Sequence, residues 1–335
     1  MNRDKVVLGL SGGVDSAVAA RLLAEKYEVY CLYLDIGLGG QGRDEAAAVA
    51  EGLHLPFRTA DIRPELERWV CAPFAAEYLA GRTPLPCARC NPTVKFPALL
   101  GLAEEVGARW VATGHYARTE DGVLLRGRPA NDQSYMLARL TRSQLQKVIF
   151  PLGEYEKNQI RAMARTFGLP VAEKPDSMEI CFIPDKDYAS WLDRRGNTPP
   201  PGDFVDAAGR VLGRHKGIHH YTLGQRRGLG VPGPHRYFVS AIDIIRNQVV
   251  LSDGGDLFTS TVYGVEPNWI GLDRLEGSME VTVRLRHSKT ETSARIVPEG
   301  EGVRILADAP LRAPTPSQLA VFYDGCRVVG SAWIT

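Results

Sequence analysis

Cysteines are the most chemically versatile residues of this sequence, and two of the six form a C-x-x-C pair at Cys87 and Cys90. The pair precedes a predicted helix, and Arg89 and Lys95 lie close to it in the sequence. A helix start and nearby cations both stabilise a thiolate, so we expect a lowered pKa and a reactive thiol. Half of a zinc site is the alternative, but four-coordinate zinc usually needs a second pair at comparable spacing, and the sequence has none.

The other four cysteines divide into two groups. Cys31 lies in a predicted strand, Cys71 in a predicted helix and Cys326 in a predicted turn. These three are interpreted as packing or incidental residues, because cysteine is often buried without a chemical role. Cys181 is distinguished by the segment that contains it, residues 174–184.

A glycine-rich loop near the start of the chain offers a second kind of chemistry, phosphate binding. Gly12 and Gly13 let the backbone approach an anion, and the hydroxyls of Ser11 and Ser16 can donate hydrogen bonds. The loop lies between a predicted strand and a predicted helix, where N–H groups and the helix dipole favour a phosphate. The candidate ligands are Gly9, Leu10, Ser11, Gly12, Gly13, Val14, Asp15 and Ser16.

Neither common nucleotide motif explains this loop. It lacks the lysine of G-x-x-x-x-G-K-[ST], and it does not match the dinucleotide pattern G-x-G-x-x-G. A glycine turn that only joins a strand to a helix is the structural alternative. Asp15 would repel a bound phosphate unless a divalent cation lay beside it, so Mg²⁺ is an implied cofactor.

Alternating apolar and amphipathic runs position this loop, and they are typical of a parallel sheet covered by helices. The predicted strands are 5–10, 28–35 and 109–113, and the predicted helices are 15–25, 44–53 and, with a break near 151–153, 143–168. Ala46, Val49, Ala50 and Leu53 fall on one face of their helix. After the proline-rich stretch 197–202, a β-rich half is predicted from the runs 236–242, 248–251, 279–285, 302–306 and 319–323. The expected fold class is doubly wound α/β followed by β structure.

Bulk composition is typical of a globular chain, with 44% hydrophobic and 24% charged residues among 335. No stretch approaches the ~20 apolar residues of a membrane span, and no signal peptide is visible, so we expect a cytoplasmic protein with no membrane partner. A net charge of +1 gives no indication of a polyanionic binding partner, so an RNA-binding surface would depend on local basic clusters. Those clusters, which could equally be solvated faces, are Arg214, Lys216, His219, His220, Arg226 and Arg227, and Arg284, Arg286, His287 and Lys289.

The run 11–16, S-G-G-V-D-S, resembles the PP-loop of ATP pyrophosphatases, which adenylate a substrate oxygen. Matches across nearly the whole chain resemble the tRNA-specific 2-thiouridylases, and they lie at 86–96, 112–117, 132–135, 174–184, 221–230 and 316–323. The resemblance implies an adenine nucleotide α-hydrolase-like catalytic domain at 1–190, a small central domain at 191–258 and a β-barrel-like tRNA-binding domain at 259–335. It also implies that ATP binds with Leu34 and Gly114 flanking its adenine and ribose.

The same resemblance assigns the catalytic roles to Cys90 and Cys181. A sulfur-donor protein, such as a cysteine desulfurase or a sulfur carrier, would leave a persulfide on Cys181, and Cys90 would release the sulfur by forming a disulfide. Cys87 replaces an aspartate that is frequent in the family, so a [4Fe-4S] cluster on Cys87, Cys90 and Cys181 stays open as an alternative. The chain also has Met178-Glu179 where the family usually has Thr-Gly.

A tRNA with a wobble uridine is the partner that the resemblance implies, with lysine, glutamate and glutamine acceptors expected. Leu85, Pro86 and Cys87 would border the target base. The implied tRNA contacts are His115, Asn131, Asp132, Gln133, Arg286, His287 and Gln318. Ser317 stands where the family normally has glycine, just before Gln318.

The expected function is therefore that of a tRNA-uridine 2-sulfurtransferase, which thiolates the wobble uridine through an adenylated base. The base would leave its stack to reach a buried thiol. A PP-loop ligase or amidotransferase that adenylates a small carboxylate is the alternative of another class, and it explains only the phosphate loop. An RNA-binding protein that uses ATP as a structural ligand is a third alternative.

Overall fold

The computed structural model describes residues 3–175, 180–233, 235–286 and 290–335. Its strands are β1 Lys5–Gly9, β2 Glu28–Asp35, β3 Phe57–Asp61, β4 Trp110–Ala112, β5 Ala117–Glu120, β6 Val123–Arg126, β7 Val148–Ile149, β8 Gly202–Val205, β9 Val211–His215, β10 Phe238–Asp243, β11 Gln248–Ser252, β12 Phe258–Trp269, β13 Met279–Arg284, β14 Thr292–Glu299, β15 Gly302–Arg312, β16 Leu319–Asp324 and β17 Arg327–Ile334. Its α-helices are α1 Val14–Ala24, α2 Gln41–Gly52, α3 Arg63–Leu66, α4 Ala72–Leu79, α5 Pro86–Cys90, α6 Phe96–Val106, α7 Ser134–Leu137, α8 Arg142–Leu145, α9 Lys157–Thr166 and α10 Tyr188–Arg195. No helix within these ranges is both long and apolar enough to span a bilayer.

A parallel sheet in the order β3-β2-β1-β4-β7 forms the N-terminal core, as the sequence predicts. Val6, Val7 and Leu8 of β1 are fully buried because helices cover both faces of the sheet. The strand order reverses between β1 and β4, and ligands of open α/β sheets bind beyond the carboxyl ends of such a pair. The phosphate loop follows β1 and Gly114 follows β4, so both lie at this switch point.

The predicted helix at 143–168 is wrong in its first piece and correct in its second, which forms α9 after the predicted break. Only one turn, α8, forms at its start, and α9 begins at Lys157. Between them Val148 and Ile149 form β7, which pairs with Val111 and Ala112 and completes the edge of the parallel sheet. Two adjacent β-branched residues favour this extended pairing, whereas the neighbouring polar residues carry no such signal.

Two π-helical turns interrupt the helices that carry cysteines. Glu67–Cys71 joins α3 to α4, and Asn91–Lys95 joins α5 to α6. A π-turn adds a residue to the helical repeat and turns the side chains that follow, and such turns often occur at functional sites. Cys90 immediately precedes the second π-turn and Lys95 closes it.

The C-terminal half contains two β units. A four-stranded sheet, β10-β11-β8-β9, encloses a small core around Phe204, Val239 and Val249. Six further strands, β12-β15-β14-β13-β16-β17, close into a barrel because β12 also pairs with β17. The barrel sheet continues onto the β5–β6 hairpin through the pair Arg327 and Leu125.

The barrel and the parallel sheet share one hydrophobic core. A single cluster contains Val7 and Phe96 of the N-terminal part together with Leu319 and Val321 of β16. Tyr135 is fully buried in this cluster, and its hydroxyl donates a 2.9 Å hydrogen bond to the carbonyl of Leu319. The core of the N-terminal half is therefore completed by strands from the last part of the chain.

Candidate active site

Hydrogen bonds of Ser11 and Ser16 fix the conformation of the phosphate loop. Ser16 Oγ accepts from the Ser11 backbone at 3.2 Å, lies 3.1 Å from Ser11 Oγ and donates to the carbonyl of Gly13 at 3.0 Å. Gly12 has φ +75°, and a Cβ there would lie 2.5 Å from the Gly42 carbonyl oxygen. Only glycine tolerates both this positive φ and this close contact. The loop backbone therefore has its conformation without a bound anion.

Gly114 closes this site from the neighbouring strand. A Cβ on Gly114 would lie 2.9 Å from the backbone nitrogen of Ser16, so β4 approaches the start of α1 as closely as backbone permits. Leu34, the other residue expected near the nucleotide, lies near the carboxyl end of β2 and is partly buried. The structure thus brings both residues to the edge of the sheet that carries the loop.

Asp15 has partners that the sequence did not reveal. Lys157 Nζ lies 2.6 and 2.7 Å from its two carboxylate oxygens, and Tyr116 Oη donates to it at 2.7 Å. The expectation that only a divalent cation could compensate this carboxylate is therefore wrong. As an oxygen ligand beside a phosphate loop, Asp15 still has the chemistry that Mg²⁺ prefers.

Lys174 supplies the cation that the loop motif lacks. Its Nζ donates to the Gly12 carbonyl at 3.1 Å and also pairs with Glu45. Lys174 comes from a segment far along the chain, so no local spacing could have linked it to the loop. The ammonium therefore lies against the loop backbone, with its charge partly compensated by Glu45.

The thiols of the C-x-x-C pair are not acidic, and the prediction of a lowered pKa is wrong. Burial raises the pKa of Cys87 and of Cys90, and the nearby Lys95 charge only partly opposes the rise. Lys95 is the cation that lowers both pKa values, whereas the guanidinium of Arg89 lies over the Trp333 ring at 5.1 Å. Helix α5 is short and apolar protein surrounds its start, so desolvation outweighs the helix dipole.

Cys181 joins this thiol group. Protein around its sulfur raises the pKa of Cys181 to about 11, and the charges of Cys87 and Cys90 add to the rise. Cys71, interpreted from the sequence as a packing residue, is indeed buried, yet it lies close enough to interact electrostatically with Cys181 and Cys90. All six cysteines fall within the described residues, and all are free thiols.

The charge of Lys95 acts both on the C-x-x-C thiols and on His115, which lies beside the phosphate loop. Its charge lowers the pKa of Cys87 and Cys90, and it also acts on His115, which follows Gly114. Burial, and then Lys95, lowers the pKa of His115 well below its usual range, so this imidazole is neutral at physiological pH. His115 Nδ1 lies 2.7 Å from Thr113 Oγ1.

The loop before α5 is bound by both other domains. Thr83 receives a hydrogen bond from Gln318 Nε2 at 2.8 Å, donates its N–H to the Pro316 carbonyl at 3.1 Å, and donates its hydroxyl to Thr222 at 3.2 Å. Leu85 and Pro86 follow directly and pack into the core beneath the cysteines. Gln318 therefore positions the cysteine helix, and its contact with tRNA stays a prediction.

Ser317 keeps the turn that a glycine would favour. Its φ is +69°, a left-handed conformation that costs energy for any residue with a Cβ. Its hydroxyl donates to Glu77, which gives the serine a compensating bond. The turn is retained, so Gln318 still reaches Thr83.

Several predicted tRNA contacts are engaged within the protein. Asp132 is buried and binds Arg284 Nη1 at 2.8 Å, the Gly127 N–H at 3.0 Å, and the Ser134 N–H and hydroxyl, both at 3.0 Å. The interpretation of Arg284 as part of an exposed basic cluster is wrong, since it is 5% exposed. This pair stabilises the junction between α7 and the barrel.

Three of the other predicted tRNA contacts also hydrogen-bond within the protein. Gln133 Oε1 accepts from the Tyr116 N–H at 3.0 Å, and Asn131, once its amide is oriented to suit its neighbours, accepts from the Lys157 N–H. Arg286 Nη2 donates to the carbonyls of Leu223 and Ala313. His287 and Lys289 lie outside the described residues, as does Met178-Glu179.

The basic cluster between residues 214 and 227 contains both exposed and buried side chains. Arg226, Arg227 and Lys216 are exposed and fit a surface for phosphates. Arg214 is paired with Asp203 at 2.8 Å, so its charge is partly compensated. His219 is 1% exposed and faces inward, and its place in the cluster is corrected to the protein interior.

A single metal ion does not fit the three thiols. Cys87, Cys90 and Cys181 do not bring their sulfur atoms within 4.8 Å of one another, the span that defines the metal-binding group found among the described residues. A four-iron cluster binds each cysteine at a different iron and tolerates a wider spacing. Three thiolate donors suit an iron–sulfur cluster with one open iron, and they offer one ligand fewer than a four-cysteine zinc site needs.

Domain profiles match the chain almost from end to end. The profile described as tRNA methyl transferase HUP domain matches residues 4–185, tRNA methyl transferase PRC-barrel domain matches 190–253, and Aminomethyltransferase beta-barrel domain matches 259–334. A protein of Clostridium botulinum named tRNA-specific 2-thiouridylase MnmA 2 is 40% identical over 349 residues, covering 100% of this chain and 99% of its own. The chain belongs to the tRNA-specific 2-thiouridylase family.

Other 2-thiouridylases agree over the same length. The proteins named tRNA-specific 2-thiouridylase MnmA in Acetivibrio thermocellus and Geobacter metallireducens are each 40% identical, covering 100% and 99% of this chain and 100% and 97% of their own. Family membership confirms the resemblance seen in the sequence. The fold of a 2-thiouridylase is likewise confirmed, with a PP-loop domain, a central domain and a closed barrel.

Proposed function

We propose that this chain is a tRNA-uridine 2-sulfurtransferase, which uses ATP to replace the C2 oxygen of the wobble uridine with sulfur. One observation supports the proposal: two consecutive residues, Gly114 and His115, link the phosphate loop to the surroundings of the thiols. Gly114 touches Ser16 of the loop, and its neighbour His115 shares the field of Lys95 with Cys87 and Cys90. A base adenylated at the loop would lie beside the sulfur chemistry.

The first half-reaction uses the phosphate loop. The uridine O2 attacks the α-phosphate of ATP, and pyrophosphate leaves, so the base becomes electrophilic at C2. The loop N–H groups and Lys174 would bind the departing phosphates. Asp15 would hold Mg²⁺, which neutralises phosphate charge when bound. Leu34 and Gly114 would flank the adenine and ribose.

The second half-reaction uses the thiols. The terminal sulfur of a Cys181 persulfide attacks C2 and AMP leaves, which joins the base to Cys181 through two sulfur atoms. The Cys90 thiolate then attacks the Cys181 sulfur, which releases the 2-thiouridine and forms a Cys90–Cys181 disulfide. A thiol reductant supplies the two electrons that restore both thiols. Lys95 would favour the thiolates against their buried surroundings.

An iron–sulfur route remains the alternative for the same product. Cys87, Cys90 and Cys181 would hold a [4Fe-4S] cluster, which would supply a sulfide at its open iron. The presence of Cys87 beside the other two thiols supports it. The persulfide route is preferred because three cysteines are fewer than the four ligands of an ordinary cluster.

The partners follow from the same proposal. The printed names of the relatives favour a tRNA substrate, and lysine, glutamate and glutamine acceptors are proposed. A cysteine desulfurase or sulfur carrier would load Cys181, and the reaction would take place in the cytoplasm. Leu85 and Cys87 would border the extruded uridine, while Arg226 and Arg227 would bind tRNA phosphates.

Thiolation of unmodified tRNA tests the proposal. Protein purified without oxygen, with its iron counted, is incubated with ATP, tRNA, a thiol reductant and a cysteine desulfurase with cysteine as the source of persulfide sulfur, and 2-thiouridine is measured by mass spectrometry. Cys90→Ser and Cys181→Ser should abolish the product, whereas Cys326→Ser, at an exposed turn, should not. Full activity in either catalytic variant would reject the assignment. Pyrophosphate exchange that depends on a small carboxylate and ignores RNA would indicate the ligase alternative.

A further inference from the structure

A group of metal-ligating side chains lies away from the proposed catalytic thiols. Helix α10 faces a 3₁₀ turn of the central domain, Ile218–His220. His219 Nε2 lies 2.8 Å from Asp193 Oδ1, and His220 Nε2 lies 3.6 Å from Asp193 Oδ2. The ligating atoms of the three residues all lie within 4.8 Å of one another. We propose that Asp193, His219 and His220 form a binding site for a transition-metal ion, with zinc as the preferred ion.

The spacing of these atoms fits zinc. Ligands about 2.0–2.2 Å from a tetrahedral zinc lie about 3.3–3.6 Å apart. The 3.6 Å between His220 Nε2 and Asp193 Oδ2 fits this range, and the 2.8 Å between His219 Nε2 and Asp193 Oδ1 would lengthen by about 0.5 Å on binding. Two imidazoles and one carboxylate suit zinc, cobalt or nickel, whereas magnesium and calcium prefer oxygen ligands alone. Water would complete the fourth position, because Asp193 is exposed and His220 is partly so.

The backbone around His219 is built to seat its ring. Gly217 has φ +134°, and a Cβ there would lie 2.5 Å from His219 Cε1. The glycine therefore leaves space that the imidazole occupies. The His219 and His220 rings contact each other with centroids 4.4 Å apart and planes tilted by 51°, and both present Nε2 to the carboxylate of Asp193.

One buried atom of this site has no hydrogen-bond partner among the described residues. His219 Nδ1 is buried and accepts no hydrogen bond from any described residue. Buried polar atoms are normally paired, and an orphan indicates a missing partner or a different protonation state. Metal at Nε2 moves the ring proton to Nδ1, where the carbonyl of Pro199 borders the same space above Gly217.

The site would join helix α10 to the turn that contains the histidines. Asp193 lies on the helix that follows the Cys181 segment, and the histidines lead directly to Tyr221 and Thr222. Thr222 bonds Thr83 ahead of the cysteine helix. All three residues lie within the stretch 190–253. Because Leu192 of α10 packs with Phe74 and Phe182, a bound ion would hold the 218–220 turn against a helix that packs beside the Cys181 segment.

Zinc binding to the full chain tests the proposal. Cys87, Cys90 and Cys181 are first changed to serine together, because thiols would otherwise bind the ion. Calorimetry should then show one zinc per chain, and cobalt should give a tetrahedral absorption spectrum without thiolate-to-metal bands. His220→Gln and Asp193→Asn should each weaken zinc binding by at least about 10-fold.

The control is His235→Gln, which changes an exposed histidine outside the group. It should bind zinc as the parent chain does, and zinc should raise the melting temperature of both. Equal zinc affinity in His220→Gln, Asp193→Asn and the control would overturn the proposal. So would the absence of binding in the parent chain, which would leave the three residues as an ion pair.

Discussion

Lys174 Nζ donates a 3.1 Å hydrogen bond to the carbonyl of Gly12, although 162 residues separate the two in sequence. The contact places an ammonium on a phosphate loop whose own motif contains no lysine. It also ties the segment that leads to Cys181 to the loop that would bind ATP. Under the proposed function, nucleotide binding and the position of the Cys181 segment would therefore be coupled through one side chain.

Lys174→Gln should reduce kcat/KM for ATP by about 100-fold, because one positioned cation is lost from the departing phosphates. Pyrophosphate release in the presence of tRNA measures this step separately from sulfur transfer. Lys147→Gln, at an exposed lysine, serves as the matched control and should keep the parent value. An unchanged kcat/KM in Lys174→Gln would remove this residue from the nucleotide site.

Lys95→Gln should make the C-x-x-C thiols less reactive, because the Lys95 charge lowers the pKa of Cys87 and Cys90. Alkylation by iodoacetamide at pH 8, read residue by residue by mass spectrometry, should slow at both cysteines. The same variant should raise the pKa of His115, which NMR titration can follow. Lys95→Arg keeps the charge and should restore both readouts, and a failure of Arg to do so would indicate a packing effect.

Cys181 should be alkylated about tenfold faster for each pH unit between pH 8 and 10, because the pKa of its thiol is raised to about 11 and the thiolate fraction rises with pH. Cys87→Ser should lower that pKa, since the charge of Cys87 contributes to its elevation. Cys326→Ser is the comparison, because Cys326 lies in the turn between β16 and β17 and is not among the groups that raise the pKa of Cys181. A rate plateau near pH 8 in the parent chain would contradict this expectation.

His115 should make the fold less stable in acid. Its folded-state pKa lies well below the ordinary value near 6.5, so below that pH the unfolded chain takes up a proton that the folded chain does not. The free energy of unfolding should therefore decrease as pH falls from about 7 to 5. Urea titrations of His115→Gln should give a shallower decrease, and His235→Gln should keep the parental slope.

Asp132→Asn should cost about 3–5 kcal/mol of stability, because it leaves the buried charge of Arg284 without its carboxylate. Arg210→Gln breaks a comparable pair at the surface and should cost at most about 1 kcal/mol. Chemical denaturation measures both variants. If Asp132→Asn instead weakened tRNA binding without a loss of stability, the contact predicted from family resemblance would be the better account of this residue.

The sequence was most informative where chemistry and local structure coincide. A strand followed by a glycine loop and a helix predicted β1, the phosphate loop and α1, and these lie where expected. The burial of Ala46, Val49 and Ala50 also followed from helical spacing. Local periodicity suffices for such elements because every residue that decides them is a near neighbour.

The sequence was least informative where distant residues meet. The partners of Asp15, Lys157 and Tyr116, come from two later segments, so its local motif suggested only a metal ion. The cysteine pKa was predicted in the wrong direction because desolvation depends on the assembled core, which a helix-start argument omits. Val148 and Ile149 became a strand because β4 offered them an open edge.

The shared core beneath the thiols has a consequence for biosynthesis. A nascent chain emerging from the ribosome can form β1 to β4 early, but Tyr135 cannot bury its hydroxyl until Leu319 has been translated. The apolar surface of the N-terminal half stays uncovered until then. We expect that a chaperone attends this interval, and that premature termination before residue 319 yields aggregates instead of a smaller, working adenylating enzyme.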